Sequence, residues 1–220
     1  SVSALFLLLI NSFYKNISFR DIAYLCLLII FVSQFFILKD IFYFEEIFNG
    51  FFVIDSFSSF IKVLILIGAG LIIYFYIILK NPQSLNRSEF PILILFAVTG
   101  MMLMVSANNF LSLFMSIELQ SLTLYVLVSF SRDDFHSSEA GVKYFIIGSL
   151  STCIFLFGTS LIYGLVGSVS FSEIGIFMSE QFQMPTLLIV GLIFILVSIS
   201  LKISAAPFHM WTPDVYQGAP

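Results

Sequence analysis

The sequence is short of charge, histidine, cysteine and tryptophan. Asp, Glu, Lys and Arg make up 10% of its 220 residues, against about 25% in soluble domains. That shortage excludes an ordinary water-facing surface. The two cysteines, Cys26 and Cys153, lie far apart inside apolar runs, with no CxxC spacing and no histidine nearby. Iron–sulfur and zinc ligation are therefore not indicated, and two buried thiols are expected. There is no glycine-rich dinucleotide or P-loop fingerprint, so no redox cofactor is expected in this chain. The formal charge of −4 reflects acidic residues in connectors and gives no basic patch for nucleic acid. Ser1–Tyr14 is apolar but lacks the basic start and small-residue cleavage site of a secretory signal.

What remains is apolar: 60% of residues are hydrophobic, and mean hydropathy is +1.08. A bilayer span needs about 20 such residues. That length predicts an all-α, polytopic transmembrane bundle of about seven spans. They fall at Ser1–Tyr14, Asp21–Leu38, Ser56–Leu79, Phe90–Ser106, Asn109–Phe130, Ser138–Val166 and Thr186–Ala206. Turn chemistry marks the connectors at Asn49-Gly50, Asn81-Pro82, Asn108-Asn109, Ser131–Asp134 and Met184-Pro185. No linker divides the chain, which reads as a single transmembrane domain over 1–220. Lys15, Arg20, Lys80, Arg87 and Arg132 fall in alternate connectors, and only Lys39 in the others. This bias puts the first set on the cytoplasmic or matrix side. The missing initiator Met and the end within a turn-like Gly218-Ala219-Pro220 suggest a piece of a longer chain.

Charges inside apolar runs carry the functional signal. Glu118 sits mid-way along Phe110–Phe130, and Lys143 and Lys202 lie in the following two spans. A charge at the bilayer centre costs roughly 2.5–3.5 kcal/mol on insertion scales unless paired or wetted. From the helical rise, Glu118 lies ~14 Å and Lys202 ~24 Å from the outer side. Lys143 lies ~22 Å from that side in a ~30 Å core. Either lysine is thus a candidate partner for Glu118, with a long side chain or a water bridging the gap. Such a Glu–Lys pair has interdependent proton affinities, as a proton relay requires. The competing reading is a static ion pair that staples helices. Lys62 can snorkel to the interface, Asp55 and Glu89 suit helix starts, and His136 belongs to a solvated Ser131–Ser138 loop. Glu173 and Glu180 fall in a polar connector.

Beyond Lys202 the apolar pattern breaks. Pro207 ends the helix, and Pro213, Gly218 and Pro220 are expected to keep a regular helix from resuming quickly. Lys202, Ser204, His209, Thr212 and Asp214 crowd this break. Broken helices at membrane depth are tolerated where they are buried or line a wet cavity. His209 titrates nearest neutral pH and is a candidate proton carrier. A surface loop anchored by Trp211 is the alternative.

Three segments in order resemble one family: Ile117–Tyr125 (IELQSLTLY), Ser138–Phe145 (SEAGVKYF) and Lys202–Pro220 (KISAAPFHMWTPDVYQGAP). They are similar to the antiporter-like membrane subunits of respiratory complex I, called subunit N in bacteria and NADH dehydrogenase subunit 2 in mitochondria. The similarity runs from about Phe52 onward and is dense after Asn108; the first fifty residues match in hydropathy alone. The resemblance implies a proton-translocating subunit of about fourteen helices with two inverted five-helix repeats. This chain would hold helices one to three in 1–89 and an incomplete first repeat in 90–220. It implies proton-translocation roles for Glu118 in the fifth helix, Lys143 in the sixth and Lys202 in the broken seventh; His209, Pro207 and Pro213 stand as candidates on the residues of the break alone. NAD, FMN, quinone and Fe–S clusters would belong to the complex, with other membrane subunits, the lipid bilayer and the quinone pool as partners. A bacterial inner or mitochondrial inner membrane location follows. Subunits of a multisubunit cation/proton antiporter or a membrane-bound hydrogenase share this architecture.

Overall fold

The computed structural model describes residues 2–13, 18–39, 42–78, 87–181 and 183–219. Lys15, Lys80, the Asn81-Pro82 turn, and the expected helix ends Ser1, Tyr14 and Leu79 lie outside these residues, as does Pro220. In chain order come α1 (Val2–Phe13), α2 (Phe19–Lys39), β1 (Glu45–Ile47), β2 (Phe52–Ile54), α3 (Ser56–Ile78) and α4 (Glu89–Val105). They are followed by α5 (Phe110–Val128), α6 (Phe135–Val166), α7 (Phe171–Glu180), α8 (Thr186–Lys202) and α9 (Thr212–Gly218). Among the described residues α2, α3, α5 and α6 are long and apolar enough to cross a bilayer, and α1, α4 and α8 are shorter apolar helices. These seven occupy the expected spans.

Local chemistry explains where the helices start. Asp55 Oδ1 accepts from the Ser58 amide at 2.8 Å, and Ser58 Oγ accepts from the Asp55 amide at 3.1 Å. Asn109 and Ser112 make the same reciprocal cap on α5. Asp134 caps α6 by accepting from the His136 amide at 3.2 Å. At its far end α6 stops at Gly167, whose φ of 79° is the left-handed conformation glycine adopts without penalty.

The connectors gather at two ends. At one end the β1–β2 hairpin turns through Asn49 and Gly50. Val53 donates to the Ser106 carbonyl at 2.8 Å, and Asn108 Nδ2 donates to Gly50 at 3.0 Å. The Phe110 amide reaches Val169 at 3.1 Å, so three connectors are laced into one cap. At the other end Arg132 pairs with Glu89 at 3.4 Å, and Arg87 approaches Asp133 at 3.9 Å. Both arginines of the expected cytoplasmic or matrix set that meet here lie at the same end.

Close helix contacts use small residues, because lipid tails supply no hydrophobic drive between helices. A Cβ on Gly158 of α6 would lie 2.7 Å from the Gly191 carbonyl of α8, and one on Gly100 of α4 would lie 2.7 Å from the Gln120 amide of α5. Ser151 and Ser198 exchange hydroxyl-to-carbonyl hydrogen bonds at 2.9 and 2.7 Å across the same α6–α8 seam. Phe155, Ile162, Ile174 and Ile195 fill the core behind it.

Several expectations change. The hairpin was not expected, since three-residue strands carry too little alternation to read. The polar connector holding Glu173 and Glu180 is helix α7, which buries Ile174 and packs Met178 against the α6–α8 core. Helix resumes soon after the break, because Pro213 sits in the first turn of α9, where its missing N–H costs nothing. His136 is exposed but lies in the first turn of α6, which begins three residues earlier than expected under the Asp134 cap. Cys26 is buried, whereas Cys153 is exposed, facing away from the seam that holds Ser151.

Candidate functional site

Glu118 occupies the middle of α5, and Lys202 is the last residue of α8. The structure brings them together: Lys202 Nζ donates to Glu118 Oε1 at 2.8 Å. The Thr152 hydroxyl of α6 donates to the same oxygen at 2.5 Å. Lys202 also donates to Ser121 Oγ at 3.2 Å, three residues beyond Glu118 on the same face of α5. The lysine and glutamate side chains are 17% and 23% exposed, too little for an ordinary surface pair. They border a cavity of about 270 Å³ lined by Tyr125, Tyr144, Gly148, Ser151, Ser198 and Trp211 among others. At ~30 Å³ per water, that volume holds several waters.

The end of α8 is built to leave Lys202 beside Glu118. The Ser200 carbonyl accepts from the Ala205 amide at 2.9 Å, a wider turn than an α-helix uses. Ser204 is left-handed at φ 56°, and Pro207 follows a cis peptide. Trp211 Nε1 donates to the Leu201 carbonyl at 3.2 Å, and Thr212 Oγ1 donates to Ser204 Oγ at 2.6 Å. Carbonyls freed at the break thus find partners within the protein, as non-helical backbone at membrane depth requires. α8 ends at Lys202, four residues before the expected end at Ala206, and Pro207 lies within the non-helical segment 203–211 that follows.

Lys143 does not reach Glu118. Its ammonium pairs with Asp214 at 2.7 Å and with Glu139 at 3.0 Å, tying α6 to α9 among half-exposed side chains. A second cavity of about 230 Å³, lined by His136, Glu139, Lys143, Asp214 and Gln217, opens there. Between the two sites Tyr144 stacks on Trp211, with centroids 5.1 Å apart and planes at 12°. Tyr125 meets Tyr144 edge-on at 4.7 Å. His209 is exposed and does not line the Glu118 cavity. Pro213 supports the start of α9.

Sequence reasoning found Glu118 and Lys202 and left the pairing open; the structure selects Lys202. It missed Thr152, Ser121 and the Ser151–Ser198 clamp, because hydroxyls are frequent throughout this chain. The Asp214 partner of Lys143 was visible only as one of the polar residues around the break.

Comparisons with known proteins agree with this architecture. Residues 107–220 match the family described as NADH:quinone oxidoreductase/Mrp antiporter, TM. The NADH-quinone oxidoreductase subunit N of Parvibaculum lavamentivorans is 43% identical over 221 residues, covering 100% of this chain and 45% of that relative. Subunit N of Rhodobacter capsulatus is 49% identical over 176 residues, covering 80% of this chain and 37% of the relative. The Parvibaculum alignment therefore extends the likeness into the first fifty residues. A chain of respiratory complex I from Thermus thermophilus superposes with a TM-score of 0.81 at 29% identity, covering 100% of this chain and 46% of that one. The archaeal membrane-bound sulfane sulfur reductase, at TM-score 0.83 and 22% identity, shares the fold alone. The chain spans less than half the length of these curated relatives. Seven apolar helices and these likenesses make it a multi-pass integral membrane protein. With more than half of its length matched and its helices superposed throughout, the chain belongs to the NADH:quinone oxidoreductase/Mrp antiporter transmembrane family.

Proposed function

We propose that this chain works as part of a proton-translocating membrane subunit, the subunit N of an NADH:quinone oxidoreductase. The observation that carries the reading is the Glu118–Lys202 pair, 2.8 Å apart across α5 and α8 beside a cavity at a helix break. Ionised Glu118 favours protonated Lys202; when their contact loosens, the lysine releases its proton to waters of the cavity. Redox chemistry with NAD, FMN, Fe–S clusters and quinone belongs to other subunits, and conformational change delivers its energy here. Other membrane subunits of the complex and the lipid bilayer are the partners, in a bacterial or mitochondrial inner membrane. Residues 1–89 serve as an N-terminal helical group, and 90–220 as part of a first antiporter-like repeat. Lys143, clasped by Glu139 and Asp214, and His209 in the break carry protons toward or away from the central pair.

The test is Glu118→Gln in the full-length protein within its complex. Proton pumping should fall sharply while the complex still assembles and oxidises NADH. Normal pumping by the assembled variant would overturn the assignment. Sodium-dependent proton flux without NADH:quinone oxidoreductase activity would instead assign the chain to a cation/proton antiporter.

A further inference from the structure

Among the described residues Thr152 is the neutral side chain that hydrogen-bonds Glu118 Oε1 from a third helix, and its hydroxyl has two acceptors within reach. Its Oγ1 lies 2.5 Å from Glu118 Oε1 and 3.0 Å from the Gly148 carbonyl, one helical turn earlier. A hydroxyl has a single proton to donate, so it can satisfy only one of these at a time. Rotation about Cβ–Oγ exchanges the two without moving a heavy atom. We propose that Thr152 is a positioning residue that holds the Glu118 carboxyl in place through both of its protonation states. This rests on the proton-translocating reading above.

With Glu118 ionised, the hydroxyl donates to Oε1 alongside Lys202. When Glu118 is protonated, the hydroxyl turns to donate to Gly148. Its lone pair then accepts from the new carboxyl O–H across the same Oγ1–Oε1 contact. Thr152 keeps its own proton throughout and changes only which group it donates to. Neither state leaves a half-buried hydroxyl or carboxyl without a partner, which would otherwise hinder charge exchange in this setting. The titratable groups around the carboxyl are Lys202 from α8, Tyr125 from α5 and Tyr144 from α6. The Tyr125 hydroxyl lies against Gly148 and is hydrogen-bonded with Ser121.

Because hydrogen bonds to a charged acceptor are the stronger ones, loss of the hydroxyl weakens the ionised state more. The experiment is an infrared pH titration of the carboxyl C=O band in the assembled complex, with Glu118→Gln identifying the Glu118 contribution. Thr152→Val should move the pH at which that band appears upward by roughly half to one unit. Thr152→Ser should restore the parent profile. If the Val variant does not assemble, Thr152→Ala should show the same upward move. An unchanged profile in Val or Ala overturns the proposal, as does a Ser variant shifted as far as Val. Assembly of Ser alone, with Val and Ala both lost, overturns it in favour of a purely structural threonine. A shifted profile in Thr152→Val together with normal pumping by the assembled Glu118→Gln variant leaves the role of Thr152 standing and removes the pumping assignment of Glu118 instead.

Discussion

Which lysine Glu118 depends on can be decided by a double-mutant cycle. The perturbations are Glu118→Gln, Lys202→Met and the double variant, with Glu118→Gln and Lys143→Met as the matched control. At 2.8 Å and an effective dielectric of about 20, the attraction within the Glu118–Lys202 pair is about 6 kcal/mol before desolvation. Removing two ions from water cancels much of that gain. Interhelical hydrogen bonds measured in membrane bundles average about 0.6 and reach about 1.7 kcal/mol. Two charge-assisted bonds onto one carboxylate oxygen place this pair above that average. A coupling of about 1–3 kcal/mol is therefore expected, with the double variant losing less stability than the sum of the singles. Lys143 has its own two carboxylates and shares no partner with Glu118. Its cycle with Glu118 should be additive within about 0.5 kcal/mol. The measurement is reversible unfolding in mixed micelles, read by helical circular dichroism. A larger coupling to Lys143 than to Lys202 would refute the geometry on which the functional reading depends.

Two further outcomes concern the frame around the site. Gly158→Ala drives a methyl to 2.7 Å from the Gly191 carbonyl, a backbone atom that cannot turn aside; it should cost about 1–3 kcal/mol in the same unfolding assay, while Gly164→Ala, with open space around it, should cost almost nothing. Asp55→Ala removes the cap of α3 and should destabilise by about 1 kcal/mol. The hydrogen bonds from Ser58 hold the Asp55 carboxyl below its ordinary value, so its contribution is present above the unfolded value of about 3.9. It is lost as pH falls through the lower folded value, and the Ala variant should show a flatter acid limb.

The sequence made individual charges legible because each is expensive in an apolar run. Glu118 and Lys202 stood out for that reason, and the proline-rich break after Lys202 marked where a cavity belongs. Pairing was not legible. The helical rise put the glutamate and either lysine several ångströms apart along the membrane normal, and only the packing of α5 and α8 against the same helix, α6, brings one ammonium to 2.8 Å. Lys143 read as equally buried, yet its partner Asp214 reaches it only because the chain restarts after the break as α9, packed against α6. Thr152 was hidden for the opposite reason: an uncharged hydroxyl in a membrane helix ordinarily bonds its own backbone, and Thr152 does so with Gly148 as well. The α7 helix shows how a short amphipathic pattern, weak by itself, is fixed by Ile174 packing into a neighbour's core.

The position of Lys202 at the end of α8 bears on how conformation could reach its charge. The negative end of the helix dipole favours a cation at a helix C-terminus, so two fields hold it: the helix end and Glu118. Upstream, α8 is pinned to α6 by the Ser151–Ser198 exchange, one turn before Lys202, and by the Gly158–Gly191 contact. Downstream, α9 is held to α6 by the half-exposed Lys143–Asp214 pair, the Trp211–Tyr144 stack, buried Val215 and a close contact at Gly218, where a Cβ would lie 2.5 Å from the His136 carbonyl. A tightly packed seam resists displacement, whereas exposed ion pairs are individually weak. Trp211 is bonded to the carbonyl of Leu201, the residue before Lys202, so motion of α9 acts on the end of α8 without breaking the α6–α8 seam. Because the 2.8 Å contact sits at that end, a shift of about 1 Å there is enough to lengthen it past hydrogen-bond range while Glu118 stays fixed in the middle of α5.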